Sequence, residues 1–478
     1  MRICRLSGPS ALVLCLAILT MCCTFSVAQA PDNSANERDD PSPADVISNS
    51  AHEPKDDKTP VRTPAAALYN PCKGGHVDIE ALNQLGADSS FPPFADSITE
   101  ADNPLRRVML CHNFTYRAFM PPSFTMNTIH IPVPKSDQVY IGQRPTWSVG
   151  VGFYLIADLA EFHLPGFQLT LTGFGGRANW VWASPNTIKM AQVILYKPWL
   201  HNRLSFKAGY QDNDGEFIGM NVGGGMTSGS QGVYAVLPYE VGLSHMPITT
   251  PNFIVRAQPK GDFYAKAGVQ RSSSPKGELD DLARDAAGFR FYPKGYGLLS
   301  IIEGGYNRAS REDAPEFWVR GGYLTNTSLY ANNKTGTDTT GNKCEFVLAD
   351  RQMIQNDPVH PDHGVYLGVS AINVPAEMND YSRYYEVRLY QNAPFGRRPS
   401  DMVSLVSSYS TYSYYTRERL IREGKTFATH AATITGSYSA RIHSGTYIIS
   451  GLSYDSRPAI NPRLPGALTI TIGGALFF

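Results

Sequence analysis

The chain is short of three things. Only seven of its 478 residues are cysteine, and four of those, Cys4, Cys15, Cys22 and Cys23, fall within the first thirty positions. It has no charge bias, with 42 Lys+Arg against 42 Asp+Glu. Beyond residue 30 it has no apolar run of 18 residues. Each shortage excludes something. Without a long apolar run no transmembrane helix is expected. Without a basic excess a nucleic-acid partner is not expected. Cys72, Cys111 and Cys344 are too few for a disulfide scaffold; Cys72 and Cys111 are a possible disulfide, and the alternative is that they never meet. Catalytic signatures are also missing: there is no Gly-x-Ser-x-Gly elbow and no His-Glu-x-x-His. His360 and His363 (HPDH) read as solvated residues of a turn, so no catalytic residue, metal or cofactor is expected.

What is present begins with a leader. Arg2 and Arg5, the apolar Ala11–Cys23 and the small-x-small Ala28-Gln29-Ala30 together read as a cleaved secretory signal peptide over 1–30. Residues 31–66, rich in Pro, Ser, Asp and Asn, read as a disordered tail. Residues 67–106 read as a short, partly helical periplasmic or plug segment, with VDIEALNQLG as its helix.

From 107 to 478 one pattern recurs: about ten residues of alternating hydrophobicity, then turn residues. In the final GALTITIGGALFF, Leu468, Ile470, Ile472, Leu476 and Phe478 share one face, while Thr469 and Thr471 share the other. Period-2 segments of this length are the signature of an outer-membrane barrel. The expected strands are 107–119, 146–160, 166–176, 190–198, 203–211, 252–258, 263–270, 297–306, 316–325, 344–352, 364–374, 383–391, 401–410, 428–441, 445–454 and 466–478. The fold class is therefore all-β, a transmembrane antiparallel β-barrel of about 16 strands. A seventeenth candidate, 287–292, is rejected because it would send the long 212–251 loop to the periplasm, where turns are short. A soluble propeller or sandwich also alternates, but it points its oily face inward.

Several stretches resemble the OprB-type carbohydrate-selective porins: RLSFKAGYQDNDGEFIG, TTPNFIVRAQPKGDFYAKAGVQ, GYGLLSIIEGGY, EFWVRGGYLTN, APFGRRPSDMVSLVSSYSTYS and the closing NPRLPGALTITIGGALFF. The similarity is of pattern and order over about 146–478. The family's N-terminal aromatic-Gly-Gly segment has only PCKGGHVDIEALNQLG as a counterpart. The resemblance implies a sixteen-stranded outer-membrane channel for passive uptake of sugars.

Such a pore needs hydrogen-bonding groups and aromatic faces, and weak binding so that the solute leaves. The candidate pore-lining or sugar-contact residues are Arg203, Lys207 and Gln211 on one strand; Arg256 and Gln258 on the next; then Lys266 and Gln270; and Glu303, Arg320, Glu386, Arg388 and Arg441. Their inward placement follows from the cost of lipid-facing charge. Cross-strand pairing is the competing role for each. Loop 212–251, opening on Asp212, Asp214 and Glu216, is the expected constriction; those acids lack a complete calcium ligand set. Trp180 and Trp182 are either a sugar platform or belt aromatics, and belts are commoner. The terminal Phe478 resembles the end signal read by barrel-assembly machinery. The expected partners are small carbohydrates, outer-membrane lipid, that machinery and a homo-oligomeric copy. The expected location is the bacterial outer membrane. The alternatives are a general porin, or a plugged barrel binding surface polysaccharide or serving a structural role; a hydrolase has no support.

Overall fold

The computed structural model describes residues 67–70, 75–83, 91–99, 103–180, 187–218, 237–245, 248–285, 289–312, 314–425, 428–458 and 465–478. The leader, the 31–66 tail, Cys72 and Trp182 lie outside the described residues.

Sixteen antiparallel strands close into a barrel. The first, β1, runs Phe114–Met120 and resumes at Pro122–Asn127. Then come β2 (Thr146–Asp158), β3 (Gln168–Ala178), β4 (Thr187–Trp199), β5 (Leu204–Gln211), β6 (Thr250–Lys260), β7 (Phe263–Arg271) and β8 (Leu298–Arg308). The second half comprises β9 (Phe317–Asn326), β10 (Asn342–Gln355), β11 (Gly364–Asn373), β12 (Tyr381–Asn392), β13 (Met402–Tyr412), β14 (His430–His443), β15 (Thr446–Asp455) and β16 (Ala467–Phe477). Every strand pairs with its sequence neighbours, and β16 closes the ring on both halves of β1. Closure leaves no exposed edge, which is what allows a sheet to sit in lipid.

The long connections, 128–145, 212–249, 272–297 and 413–429 among them, all fall at one end. The short ones, such as 200–203, 261–262 and 444–445, fall at the other. Short turns mark the periplasmic end. The side chains alternate as the pattern requires. On β16, Ile470 and Ile472 are 38% and 54% exposed on the outer face, whereas Ala475 and Phe477 are buried on the inner. Lipid covers the outer set.

The first strand differs from its expected place. Residues 104–110 are a helix, α1 (Pro104–Leu110), not the start of a strand over 107–119. Pro104 sits in its first turn, and the Asn103 side chain accepts from the Arg106 backbone N–H, a helix start that overrides weak alternation. The strand then continues to Asn127, across Pro121 and Pro122, which cannot donate to the ladder and break it in two. The expected helix over 77–86 is also corrected: Gly75–Asp78 is a strand paired with Ala67–Asn70, followed by a single 3-10 turn, Ile79–Leu82. Residues 289–292 form no strand.

The N-terminal segment packs on the inner face at the periplasmic mouth. Phe91 meets Phe119, Tyr154 and Phe477 edge-on. The Arg117 guanidinium lies 3.5 Å from the Phe94 ring centroid. Asp96 accepts from Arg441 at 2.7 Å and from the Gly445 N–H at 2.8 Å.

Candidate functional site

The inner faces of the strands give the lumen two unlike arcs. β6 to β12 carry charge. Lys266 sits across from Arg256 on one side and Glu303 on the other, with its Nζ 3.3 Å from the Glu303 carboxylate. Arg320 approaches the second Glu303 oxygen at 3.7 Å. Tyr264 donates to Glu303 at 3.0 Å and accepts from Trp318 Nε1 at 3.0 Å. The Arg256 guanidinium lies over the Tyr264 ring at 4.9 Å. Further round, the fully buried Arg388 stands 2.6 Å from Asp350 and 2.5 Å from Glu386. Gly368 lies beneath this pair of contacts; a Cβ there would come within 2.2 Å of Asp350 and 2.6 Å of Arg388. Apart from Glu386 and Arg388, which lie two positions apart on β12, these charges are matched to one another across strands. Cross-strand pairs of this kind stabilise the sheet, and their burial keeps Lys266, Arg320 and Arg388 from a passing solute.

The described parts of the connection 212–249, residues 212–218 and 237–245, pack inward over this arc. It opens on one helical turn, Asp214–Phe217, and its far end carries another, Leu237–Glu240. Glu216 pairs with Lys207 and lies 3.9 Å from Lys266. Arg320 donates to the carbonyls of Phe217 at 2.8 Å and Ile218 at 3.3 Å. Asn326 donates to the Val241 carbonyl at 2.5 Å. Phe217 is fully buried beside Gly268, where a Cβ would stand 2.8 Å from its ring. Beneath the connection the inward positions are apolar: Leu299, Ile301, Leu324, Phe346, Leu348 and Ile372 pack with Leu237, Val241 and Leu243. Burial, and secondarily Asp212, push the Asp214 carboxyl up to about 8. This helical turn is therefore less acidic than its Asp-Asn-Asp-Gly-Glu spelling suggests.

The other arc, β13 to β16 and β1, is lined by hydroxyls. Ser404 and Ser437 meet at 2.6 Å, Thr435 and Ser453 at 2.7 Å, and Thr125 and Thr471 at 3.0 Å. Ser408, Ser410, Thr433, Thr435, Ser453, Thr469 and Thr471 are each partly exposed on the inner face. The charge-based list of site residues missed this arc. Its signal was the Ser or Thr at alternate positions of SLVSSYST and ATITGSYS.

The remaining expected residues scatter. Arg203 is exposed in the 200–203 turn. Gln258 donates to the Gly261 carbonyl at 2.9 Å in the next turn. Gln211 and Gln270 both bond Asn213, at 2.7 Å each. Asp212 accepts from Gln192 at 2.6 Å. Arg441 is held by Asp96 of the N-terminal segment. Trp180 is only 5% exposed, which overturns its reading as a lipid-facing belt aromatic. His363, read as solvated, is also 5% exposed. Cys111 is disulfide-bonded, and Cys344 is free and buried.

A family model described as carbohydrate-selective porin, OprB family, matches residues 159–473. No curated protein matches the chain. Among solved structures, the chain is similar to the high-pH structure of Pseudomonas putida OprB, at 13% identity and TM-score 0.68, over 80% of this chain and 98% of that one. The low-pH structure of the same protein aligns at 12% identity and TM-score 0.50, over 80% and 98%. At such identities the likeness is one of fold.

Proposed function

Because this chain belongs to the OprB family of carbohydrate-selective porins, we propose that neutral sugars cross its lumen along the hydroxyl-lined arc, past the inward-folded 212–249 connection. The chain is an outer-membrane sugar porin. Its family and fold are those of channels rather than enzymes, and we assign it no catalytic residue. The observation that carries the route is the contrast between the arcs. On the charged arc, cations and carboxylates satisfy one another. Thr433, Thr435, Thr469 and Thr471 are partly exposed, although Thr435, Thr469 and Thr471 also bond neighbouring protein groups. A hydroxyl both donates and accepts, so it can exchange one sugar hydroxyl for the next. Each such bond is worth only about 0.5–1.5 kcal/mol net, weak enough for the sugar to leave.

Planar-bilayer recordings test this. The purified protein is expected to conduct, and glucose or a short oligosaccharide to reduce the current. The triple variant Thr435→Val, Thr469→Val, Thr471→Val is expected to keep its ion conductance and lose block about tenfold or more. Conductance indifferent to sugar would make the protein a general porin, and no conductance would indicate a plugged barrel.

We also propose Phe478 as the assembly signal. Its backbone N–H and carbonyl both pair with Ala118, at 2.8 and 3.1 Å, at the closing seam. Deleting Phe478 is expected to lower outer-membrane insertion without impairing export. Unchanged outer-membrane levels would argue against it.

A further inference from the structure

We propose that the connection between β7 and β8 carries a docking surface for the phosphate groups of an anionic lipid headgroup in the outer leaflet, formed by Phe289, Phe291 and Tyr292 with Arg290 and Lys294. The alternation that makes 287–292 resemble a strand has a different cause here. Tyr210 is the last outward residue of β5, at the end from which the long connections leave. Its ring meets Phe289 edge-on at 5.1 Å and Phe291 at 5.6 Å, and its hydroxyl donates to the Phe289 carbonyl at 3.1 Å. Arg271, at the same end of β7, follows the outward parity of Val269, yet it is buried. The same connection covers it. Asp281 lies 3.5 Å and Asp285 3.1 Å from its guanidinium, which stands over the Tyr296 ring at 5.2 Å. Asp281, Asp285 and residues 289–291 therefore lie against the outside of the barrel at its extracellular rim, the level of the lipid headgroups, where aromatic belts form.

What this segment presents is oily and cationic. Phe291 and Tyr292 are 70% and 69% exposed. Arg290 and Lys294 are exposed too, and among the described residues neither side chain has an acidic partner. The aspartates nearby are already engaged. Asp285 holds Arg271 and accepts from the Arg290 backbone N–H at 3.1 and 3.2 Å. Asp281 accepts from the Ser274 N–H at 2.7 Å, and Asp280 accepts from Arg284 at 2.9 Å.

That charge pattern selects the occupant. Basic side chains beside the headgroup layer attract anionic lipid. A guanidinium offers paired donors to one phosphate, and an ammonium offers a compact charge to another. The rings supply the apolar contact with the chains below. A second copy of this chain fits less well. A two-fold contact would set the segment against itself, cation facing cation with its aspartates taken, and like charges brought together disfavour such an interface.

The test uses the full mature chain in detergent, freed of co-purified lipid and titrated with diphosphoryl lipid A, with phosphatidylcholine as the zwitterionic control. Bound lipid is counted by native mass spectrometry. One diphosphorylated lipid per barrel is expected at concentrations where phosphatidylcholine is not retained, and raised salt should weaken its retention. A basic residue beside an anionic surface is worth about fivefold in affinity, so Arg290→Gln with Lys294→Gln should cost about twentyfold or more. Phe291→Ser with Tyr292→Ser should lower retention of the same lipid. All four residues are exposed, so both variants should fold, as heat-modifiable gel migration will verify. Equal retention of the two lipids, or retention unchanged by Arg290→Gln with Lys294→Gln, overturns the proposal. So does a wild-type dimer in light scattering that Phe291→Ser with Tyr292→Ser dissolves, which would make the segment an interface between copies. Sugar block should be the same in every variant.

Discussion

Phe217→Ala is expected to release the 212–249 connection from the lumen wall, raise single-channel conductance and abolish most of the sugar block. Phe217 is fully buried, and its ring occupies the space that Gly268 leaves on β7. The Lys266 ammonium lies over the ring at 5.3 Å. Removing a buried phenylalanine side chain costs roughly 3–5 kcal/mol. At about 1.4 kcal/mol per tenfold, that changes the docked-to-released ratio by two to three orders of magnitude or more. The other anchors, Arg320 on the Phe217 and Ile218 carbonyls and Asn326 on the Val241 carbonyl, act on the backbone and survive the substitution. They resist release but lose the apolar contact that seats them. The strands do not depend on Phe217, so the variant should keep its heat-modifiable migration. Gly268→Ala should shift conductance the same way by a smaller amount, because its Cβ crowds the ring from the opposite side. Wild-type conductance and wild-type protease resistance of the connection in Phe217→Ala would refute the anchoring role.

That connection also marks where the sequence stopped being legible. The outer face was readable because lipid demands an unbroken apolar set, and Leu468, Ile470 and Ile472 meet that demand without help from any other segment. The parity of long and short connections followed from strand count alone. The inner face has no such uniform demand. Leu299, Ile301, Leu324, Phe346 and Leu348 are apolar although they point inward, because the connection covers them. Strand β8 accordingly begins Leu-Leu-Ser-Ile-Ile, with little alternation, and a strand covered on both faces reads that way. Nothing local identifies what covers it. The same limit explains the charges. The lipid penalty placed Lys266, Glu303, Arg320 and Arg388 inside, but whether a sugar or a neighbouring strand meets them is set by register. Register places Asp350 and Arg388 on either side of Gly368. At β1 the failure was different in kind: a proline-led helix start outcompeted an irregular alternation.

Arg388→Met is expected to be the most destabilising single change in the barrel wall and to leave sugar recognition intact if the protein still folds. The guanidinium is fully buried, and both of its acidic partners, Asp350 and Glu386, are about 95% buried or more. It also donates to Ser370 at 2.5 Å and to the Val369 carbonyl at 3.4 Å, while Tyr384 and Tyr390 satisfy remaining carboxylate positions. Removing the cation leaves two carboxylates facing each other without water, and breaking a buried pair in this way costs about 3–5 kcal/mol. Replacing all three charges costs less, since matched apolar or neutral groups in place of a buried ion pair are often near neutral. Arg388→Met combined with Asp350→Asn and Glu386→Gln should therefore recover most of the unfolding midpoint in a denaturant titration of protein inserted in lipid vesicles. The two roles open to Arg388 give opposite results in this triple variant. If the guanidinium holds the wall, stability returns and sugar block stays at the wild-type level throughout. If it binds sugar, stability returns and block is lost. Its complete burial and its full set of protein partners favour the first outcome, and the hydroxyl arc supplies the contacts that the charged arc cannot.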